Sequence, residues 1–168
     1  MTTIAHLHYS SPVGRLKLVA SQHGLMAILW ENDDPNRVRL GETAEDANHT
    51  ILRETAQQLD DYFAGRRTIF SLPLAFNGTD FQKQVWQALL AIPFGETRTY
   101  GQLAAQLGKP SASRAVGAAN GKNPISIIAP CHRVIGGNGK LTGFAGGLEA
   151  KAYLLGLEGH SNVLLPTA

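Results

Sequence analysis

The chain has 168 residues, 43% hydrophobic and 17% charged, with 18 glycines, one cysteine and a formal charge of +2. That length buries roughly 70% of the unfolded surface, enough for one ordinary domain or two small ones, and the hydrophobic content excludes a disordered chain. No apolar run approaches the roughly 20 residues that span a bilayer, no secretory pattern opens the chain, and one cysteine excludes an internal disulfide or a cysteine-rich zinc site. A cytoplasmic protein without membrane contact is expected, with Cys131 present as a thiol.

Residues 4–9, 15–20 and 25–30 read as three short strands in an antiparallel meander, with Leu16 and Leu18 alternating onto one face. A polar loop leads to a helix over 48–64, where Leu52, Thr55, Leu59 and Phe63 form one stripe and Gly65 suits the position just past the end. Residues 68–76 are extended, but Pro73 makes them an edge strand or a connector.

Asn77-Gly78-Thr79-Asp80 is the best boundary, giving expected domains of residues 1–78 and 79–168. The charge changes sign there. Seven Lys and Arg face nine Asp and Glu before it, and eight face four after it, with six bases and no acid between Glu96 and Glu149. A one-signed stretch of that kind is a candidate polyanion surface, although modest positive charge is often ordinary solvated surface.

Beyond the boundary the pattern is helical. Thr79 with Gln82 and Thr99 with Gln102 are capping boxes opening two helices, the second ended by Gly108. Lys109-Pro110 makes a turn, Ser111 can cap again, and a further helix runs to about Gly121. Two short helices joined by such a turn resemble a helix-turn-helix. The second carries Ser113, Arg114, Ala115, Gly117, Ala118 and Ala119, with Arg114 as its one charge. A helix without long polar side chains is poorly suited to reading a major groove, and a close approach in a minor groove fits it better. Gly117 inside it costs roughly 1 kcal/mol relative to alanine, which either tight helix packing or a close external backbone would explain. Residues 134–135 and 141–142 read as a hairpin around Gly136-Gly137-Asn138-Gly139-Lys140, a wing, and residues 148–157 as a last helix.

A lone cysteine is most often a small buried hydrophobe, but the setting of Cys131 differs. Pro130 restrains the entry to it, His132 and Arg133 follow it and could favour the thiolate, and an apolar run and a glycine-rich segment flank it. Cys131 is therefore a candidate nucleophile. On a strand, His132 would project to the opposite face, so cooperation between the two needs a turn or a bridging water. A carboxylate could orient the imidazole, and Glu149 and Glu158 are the only acids after residue 97. His6-x-His8 is too sparse for a metal site, and no Gly-x-Gly-x-x-Gly or P-loop suggests a nucleotide; no metal and no cofactor are expected.

Pro130-Cys131-His132-Arg133-Val134, with Arg114-Ala115-Val116-Gly117 and Asn123-Pro124 before it and Gly146-Gly147 and Glu158-Gly159-His160 after it, resembles the O6-alkylguanine-DNA alkyltransferases. The likeness covers residues 79–160, and more weakly Tyr62-Phe63-Ala64-Gly65. It implies an α+β protein: an N-terminal ribonuclease H-like α/β domain and a C-terminal winged helix-turn-helix domain, in a stand-alone bacterial form. It implies direct-reversal DNA repair, in which the alkyl group of O6-alkylguanine, and of O4-alkylthymine, passes irreversibly to Cys131 after base flipping, once per molecule. The partner implied is double-stranded DNA carrying alkylated bases, approached from the minor groove by a monomer, with cooperative assembly on DNA left open.

By the same resemblance, His132 activates Cys131 through a water and Glu158 orients His132. Tyr100 assists protonation of the guanine and contacts the DNA backbone, and Asn123 braces the turn before the active-site segment. Val134 and Ala145 bind the base through main-chain groups beside Phe144. Arg114 enters the stack vacated by the base, with Ser113, Ala115 and Gly117 also at the DNA. Phe144 stands where relatives often carry tyrosine and Ala145 where some carry serine, so two pocket hydroxyls are lost.

Three rivals fit less well. A lesion-binding relative would lack the acceptor cysteine, a winged-helix transcription regulator would need longer recognition side chains, and a Cys-His hydrolase would normally have its base far away in sequence.

Overall fold

The computed structural model describes residues 3–139, 141 and 143–160. The chain divides into two compact units, Met1–Asn77 and Gly78–Ala168.

In the first unit, β1 (Ala5–Ser11), β2 (Gly14–Ala20) and β3 (Leu25–Leu29) form the antiparallel meander read from the sequence. A strand the sequence does not reveal, β4 (Ala44–Glu45), joins β1 in parallel and makes the sheet order β3-β2-β1-β4. Two residues are too few to show a period. Helix α1 (Thr50–Phe63) buries Leu52, Thr55, Gln58, Leu59 and Tyr62, so Tyr62 rather than Phe63 completes its inward stripe. Residues 68–76 are a connector: Leu74 makes one parallel bridge with Leu25, and the Gln58 amide both donates to the Ser71 carbonyl and accepts from the Ser71 N–H. Gln58 thus meets both backbone polar groups of Ser71, and Pro73, which has no N–H to give, accepts from Leu25 N through its carbonyl.

In the second unit, both capping boxes form as the sequence predicts, with Thr79 and Thr99 each accepting from the main chain of the glutamine three residues on. They open α2 (Asp80–Leu90) and α3 (Tyr100–Gln106), and the turn at Gly108 leads to α4 (Ser113–Gly121). Ser111 does not cap α4. Its N-cap is Ala112, and no side chain bonds there, because the chain stays in a turn through Ser111. The Trp86 indole donates to the Ala119 carbonyl at 2.9 Å, pinning α2 to α4. Gly78 lets Trp86 lie there, since a β-carbon at residue 78 would come within 2.5 Å of the ring. Gly78→Ala is expected to lower stability by about 1–3 kcal/mol through this overpacking; a melting curve matching the parent chain would refute it.

Val134–Ile135 forms β6, which pairs in parallel with β5 (Arg98–Thr99). Leu141 is buried outside any strand, and Lys140 and Thr142, on which the hairpin reading also falls, lie outside the described residues. The pairing joins segments 36 positions apart by register, which local alternation cannot encode. Helix α5 (Leu148–Leu157) has the predicted bounds. No described helix is long and apolar enough to cross a membrane.

Candidate active site

The segment that bears the cysteine is built by its own side chains. Asn123, 1% exposed, accepts from the Ile125 N–H through Oδ1 and donates to the Ala129 carbonyl through Nδ2, spanning the whole buried turn between them. Within that turn Ile127 is held at φ 75°, a left-handed conformation that β-branched residues avoid, while Ser126 O accepts from Ile128 N across it. Strain of that kind costs on the order of 1–3 kcal/mol and persists only where the surroundings over-determine it. Here the Asn123 brace and complete burial do so.

Pro130, with φ −80° and ψ 66°, then forms an inverse γ-turn, so that the Cys131 N–H donates to the Ala129 carbonyl at 2.7 Å. A 3₁₀ turn, Cys131–Arg133, follows at once. Cys131 and His132 therefore do not project to opposite faces as on a strand, because three residues per turn set successive side chains about a third of a turn apart.

Cys131 is 4% exposed and His132 is fully buried. The His132 Nε2 lies 2.8 Å from Glu158 Oε2. Arg133 forks onto the same carboxylate, Nε to Oε1 at 2.7 Å and Nη2 to Oε2 at 3.1 Å, and its third nitrogen donates to the Ile92 carbonyl. Glu158 is the C-cap of α5, and Gly159 at φ 102° turns the chain away there, as only glycine does without strain. Of the two acids considered, Glu158 therefore meets His132, while Glu149 is exposed in the first turn of α5. Past the cap, the His160 Nε2 bonds to the Gly95 carbonyl.

The electrostatics of His132 follow from its burial. Desolvation pushes its pKa below the ordinary histidine value, against the pull of Glu158 and with help from the nearby Arg133 and Lys151 cations. The imidazole is neutral, and a carboxylate can only accept, so the proton sits on Nε2 and Nδ1 carries the lone pair. That Nδ1 is buried and has no hydrogen-bond partner. It is a base nitrogen held ready beside the thiol-bearing residue.

A pH dependence results. Below the ordinary histidine pKa of about 6.5 the unfolded chain takes a proton that the buried imidazole resists, so this contribution is complete above 6.5 and is lost as pH falls. Melting midpoints between pH 7 and 5 should fall more for the parent chain than for His132→Gln. Parallel curves would refute the neutral, buried imidazole.

The remaining predicted residues lie as follows. Tyr100 opens α3 and Gly117 lies against its ring. On α4, Arg114 and Ala115 are exposed and Ser113 and Gly117 are half-buried. Val134 is buried, and Phe144 and Ala145 are half-buried in the loop before α5. Arg133 is only 6% exposed, so one of the six bases of the candidate positive stretch is an interior charge, and Lys151, just past that stretch, is fully buried as well. Arg133, which follows His132 in the sequence, two residues after Cys131, has its guanidinium clamped on Glu158. Among the described residues no three His, Cys, Asp or Glu side chains gather into a metal-holding group.

Comparison with known proteins covers both units. Residues 4–76 match the family described as 6-O-methylguanine DNA methyltransferase, ribonuclease-like domain, and residues 80–160 its DNA binding domain. The chain is 49% identical over 151 residues to the methylated-DNA–protein-cysteine methyltransferase of Methanosarcina acetivorans, covering 90% of this chain and 96% of that one. It is 49% identical over 150 residues to the protein of the same name from Mycobacterium leprae, covering 89% of each. It superposes on the crystal structure of Mycobacterium tuberculosis OGT in complex with DNA with a TM-score of 0.83, at 45% identity, covering 93% of this chain and 92% of that one.

Proposed function

The chain belongs to the 6-O-methylguanine DNA methyltransferase family, and on that premise we propose that Cys131 is the acceptor in its direct reversal of DNA alkylation. DNA is its partner and alkyl transfer to protein its activity. The observation that carries the assignment is the buried His132, its Nε2 held by Glu158 and its Nδ1 lone pair unengaged, next to the only cysteine of the chain.

The chemistry balances as follows. The Cys131 proton passes through a water to His132 Nδ1, and the thiolate attacks the alkyl carbon of O6-alkylguanine, or of O4-alkylthymine. The carbon–oxygen bond breaks, its electron pair leaves on the base, and the Tyr100 hydroxyl gives the base the proton it needs and regains one from solvent, to which His132 releases the thiol proton. The product is a thioether, which cannot leave again under these conditions, so each molecule acts once. Val134 and Ala145 main-chain groups hold the base beside Phe144.

O6 is inaccessible within a paired duplex, so the nucleotide must be flipped out, at a cost of a few kcal/mol that a damaged pair lowers. Arg114, exposed near the start of α4, fills the gap in the stack. The exposed positions of α4 after it, Ala115, Ala118 and Gly121, carry nothing larger than a methyl group, which favours a monomer laying this helix along the minor groove with Ser113 and Gly117 near the backbone. The test is a duplex carrying labelled O6-methylguanine, with label followed onto protein and the intact mass read for one added methyl. Label that stays on DNA overturns the proposal.

Gly117 sharpens the DNA reading. A β-carbon there would meet only the Tyr100 ring, at 3.7 Å, an ordinary contact, so packing within the chain does not require glycine. Gly117→Ala should raise stability by about 1 kcal/mol while weakening duplex binding about fivefold. Unchanged binding would refute a close backbone approach at this helix.

A further inference from the structure

The end of α5 is closed by a Schellman motif: the Gly159 N–H donates to the Gly156 carbonyl and the His160 N–H to the Leu155 carbonyl, with Gly159 at φ 102°. That motif fixes the backbone of His160, and its half-buried ring reaches the loop between α2 and β5, where Nε2 donates to the Gly95 carbonyl. A carbonyl oxygen can only accept, so Nε2 carries the ring proton. Gly95, at φ 83°, lies directly on the helix cap, because a β-carbon there would come 3.4 Å from the Glu158 carbonyl oxygen.

That loop delivers Tyr100. It leaves α2 at Ile92, whose carbonyl accepts from Arg133, and passes Phe94, whose ring centre lies 5.8 Å from the Arg133 guanidinium. It ends in Arg98–Thr99, paired with Val134–Ile135, and Thr99 then caps α3, of which Tyr100 is the first residue. Arg133 and β6 thus hold the loop from the cysteine-bearing segment, while His160 holds its tip from α5. Neither β5 nor α3 is rigid by itself: the strand has two residues in a parallel pair, the helix has seven, and helices that short are marginal without tertiary contacts. The Glu96–Arg98 ion pair within the loop is open to solvent and contributes little. The ties on the loop therefore set where α3 starts, and with it the reach of the Tyr100 hydroxyl.

We propose that His160 is a positioning residue for Tyr100: its bond to the Gly95 carbonyl sets the loop that presents the tyrosine hydroxyl to the leaving base. The proposal rests on Tyr100 being the proton donor. It gives the end of α5 two tasks, two residues apart: Glu158 holds the base His132, and His160 holds the segment that carries the acid.

The test is a double-mutant cycle on the full chain. Transfer of labelled methyl from O6-methylguanine duplex, with duplex in excess so that the bound complex is read, is timed for the parent, for His160→Leu, which keeps bulk without a donor, and for His160→Gln, whose amide nitrogen reaches about as far as Nε2. Each is repeated with Tyr100→Phe, and alkylation of Cys131 by iodoacetamide without DNA is followed alongside by intact mass. His160→Leu should slow transfer about tenfold, the scale of a displacement of a fraction of an ångström, and His160→Gln should restore most of the rate. Iodoacetamide labelling should not change, because Cys131, His132 and Glu158 are all retained. Tyr100→Phe should itself be slower by about 100-fold, and adding His160→Leu to it should cost less than about twofold more, since the two act through one group. Parent-rate transfer in a cooperatively melting His160→Leu, no rescue by glutamine, slowed iodoacetamide labelling, or a full further tenfold loss in the Tyr100→Phe background each overturns the proposal; His160→Ala gives the same reading if the leucine variant does not fold. Tyr100→Phe at the parent rate would defeat the proton-donor assignment and this proposal with it, whereas a slow Tyr100→Phe with the full further loss defeats this proposal alone.

Discussion

Replacing Cys131 with alanine is expected to leave all of the labelled methyl on O6-methylguanine duplex, while the parent chain takes up one methyl and then stops. The chain has no second cysteine, so a thioether can form at one position only, and intact mass reads site and stoichiometry together. The loss should be confined to chemistry. Cys131 behaves in the fold as a small buried side chain at 4% exposure, alanine occupies a similar volume, and the turn that carries it is held by main-chain bonds and by Asn123, none of which involves the sulfur. Cooperative melting and duplex binding should both survive. Transfer that persists in Cys131→Ala, or more than one methyl on the parent chain, would refute the acceptor role.

Glu158→Gln should damage both stability and rate, for two separable reasons. The carboxylate is 4% exposed and accepts from His132 Nε2 and from two nitrogens of Arg133. An amide keeps the shape but removes the charge and one of the two acceptor oxygens, leaving a buried guanidinium uncompensated, with one amide oxygen and the Ile92 carbonyl to accept from it. Breaking one side of such a pair costs about 3–5 kcal/mol, a large share of the roughly 5–15 kcal/mol that holds a domain together. The rate falls because His132 must share a single amide oxygen with Arg133 or face the amide NH2, and loses the charge that supports its basicity, and a positioned base contributes about 10²–10⁴-fold. The double variant Arg133→Met with Glu158→Gln separates the two: with neither charge of the pair left, stability should largely return, while transfer stays slow by at least about 100-fold. A double variant restored in both, or a Glu158→Gln that transfers at the parent rate, would show that the carboxylate only supports the fold.

Much of the frame that holds this site is legible in the residues. Both capping boxes, the ends of α5 and the meander of β1 to β3 follow from interactions three or four positions apart or from strict alternation, which a sequence displays directly. What escaped is non-local. The pairing of β5 with β6 joins two-residue strands with no period to read. The inward turn of Tyr62, the amide bridge from Gln58 to Ser71 and the seat of Trp86 over Gly78 are all set by a partner in another element.

At the site itself, the sequence by itself determined which residue could be a thiol acceptor, because a single cysteine behind Pro130 leaves no competitor, and it limited the candidate orienting carboxylate to Glu149 or Glu158. Only the tertiary structure decided the state of the charges. Arg133 and Lys151 look in the sequence like further surface bases, yet one clamps a carboxylate 25 positions away and the other is fully buried. The reason is physical: a pKa depends on the water removed from a group and on the charges brought beside it, and both are properties of packing that no local pattern carries.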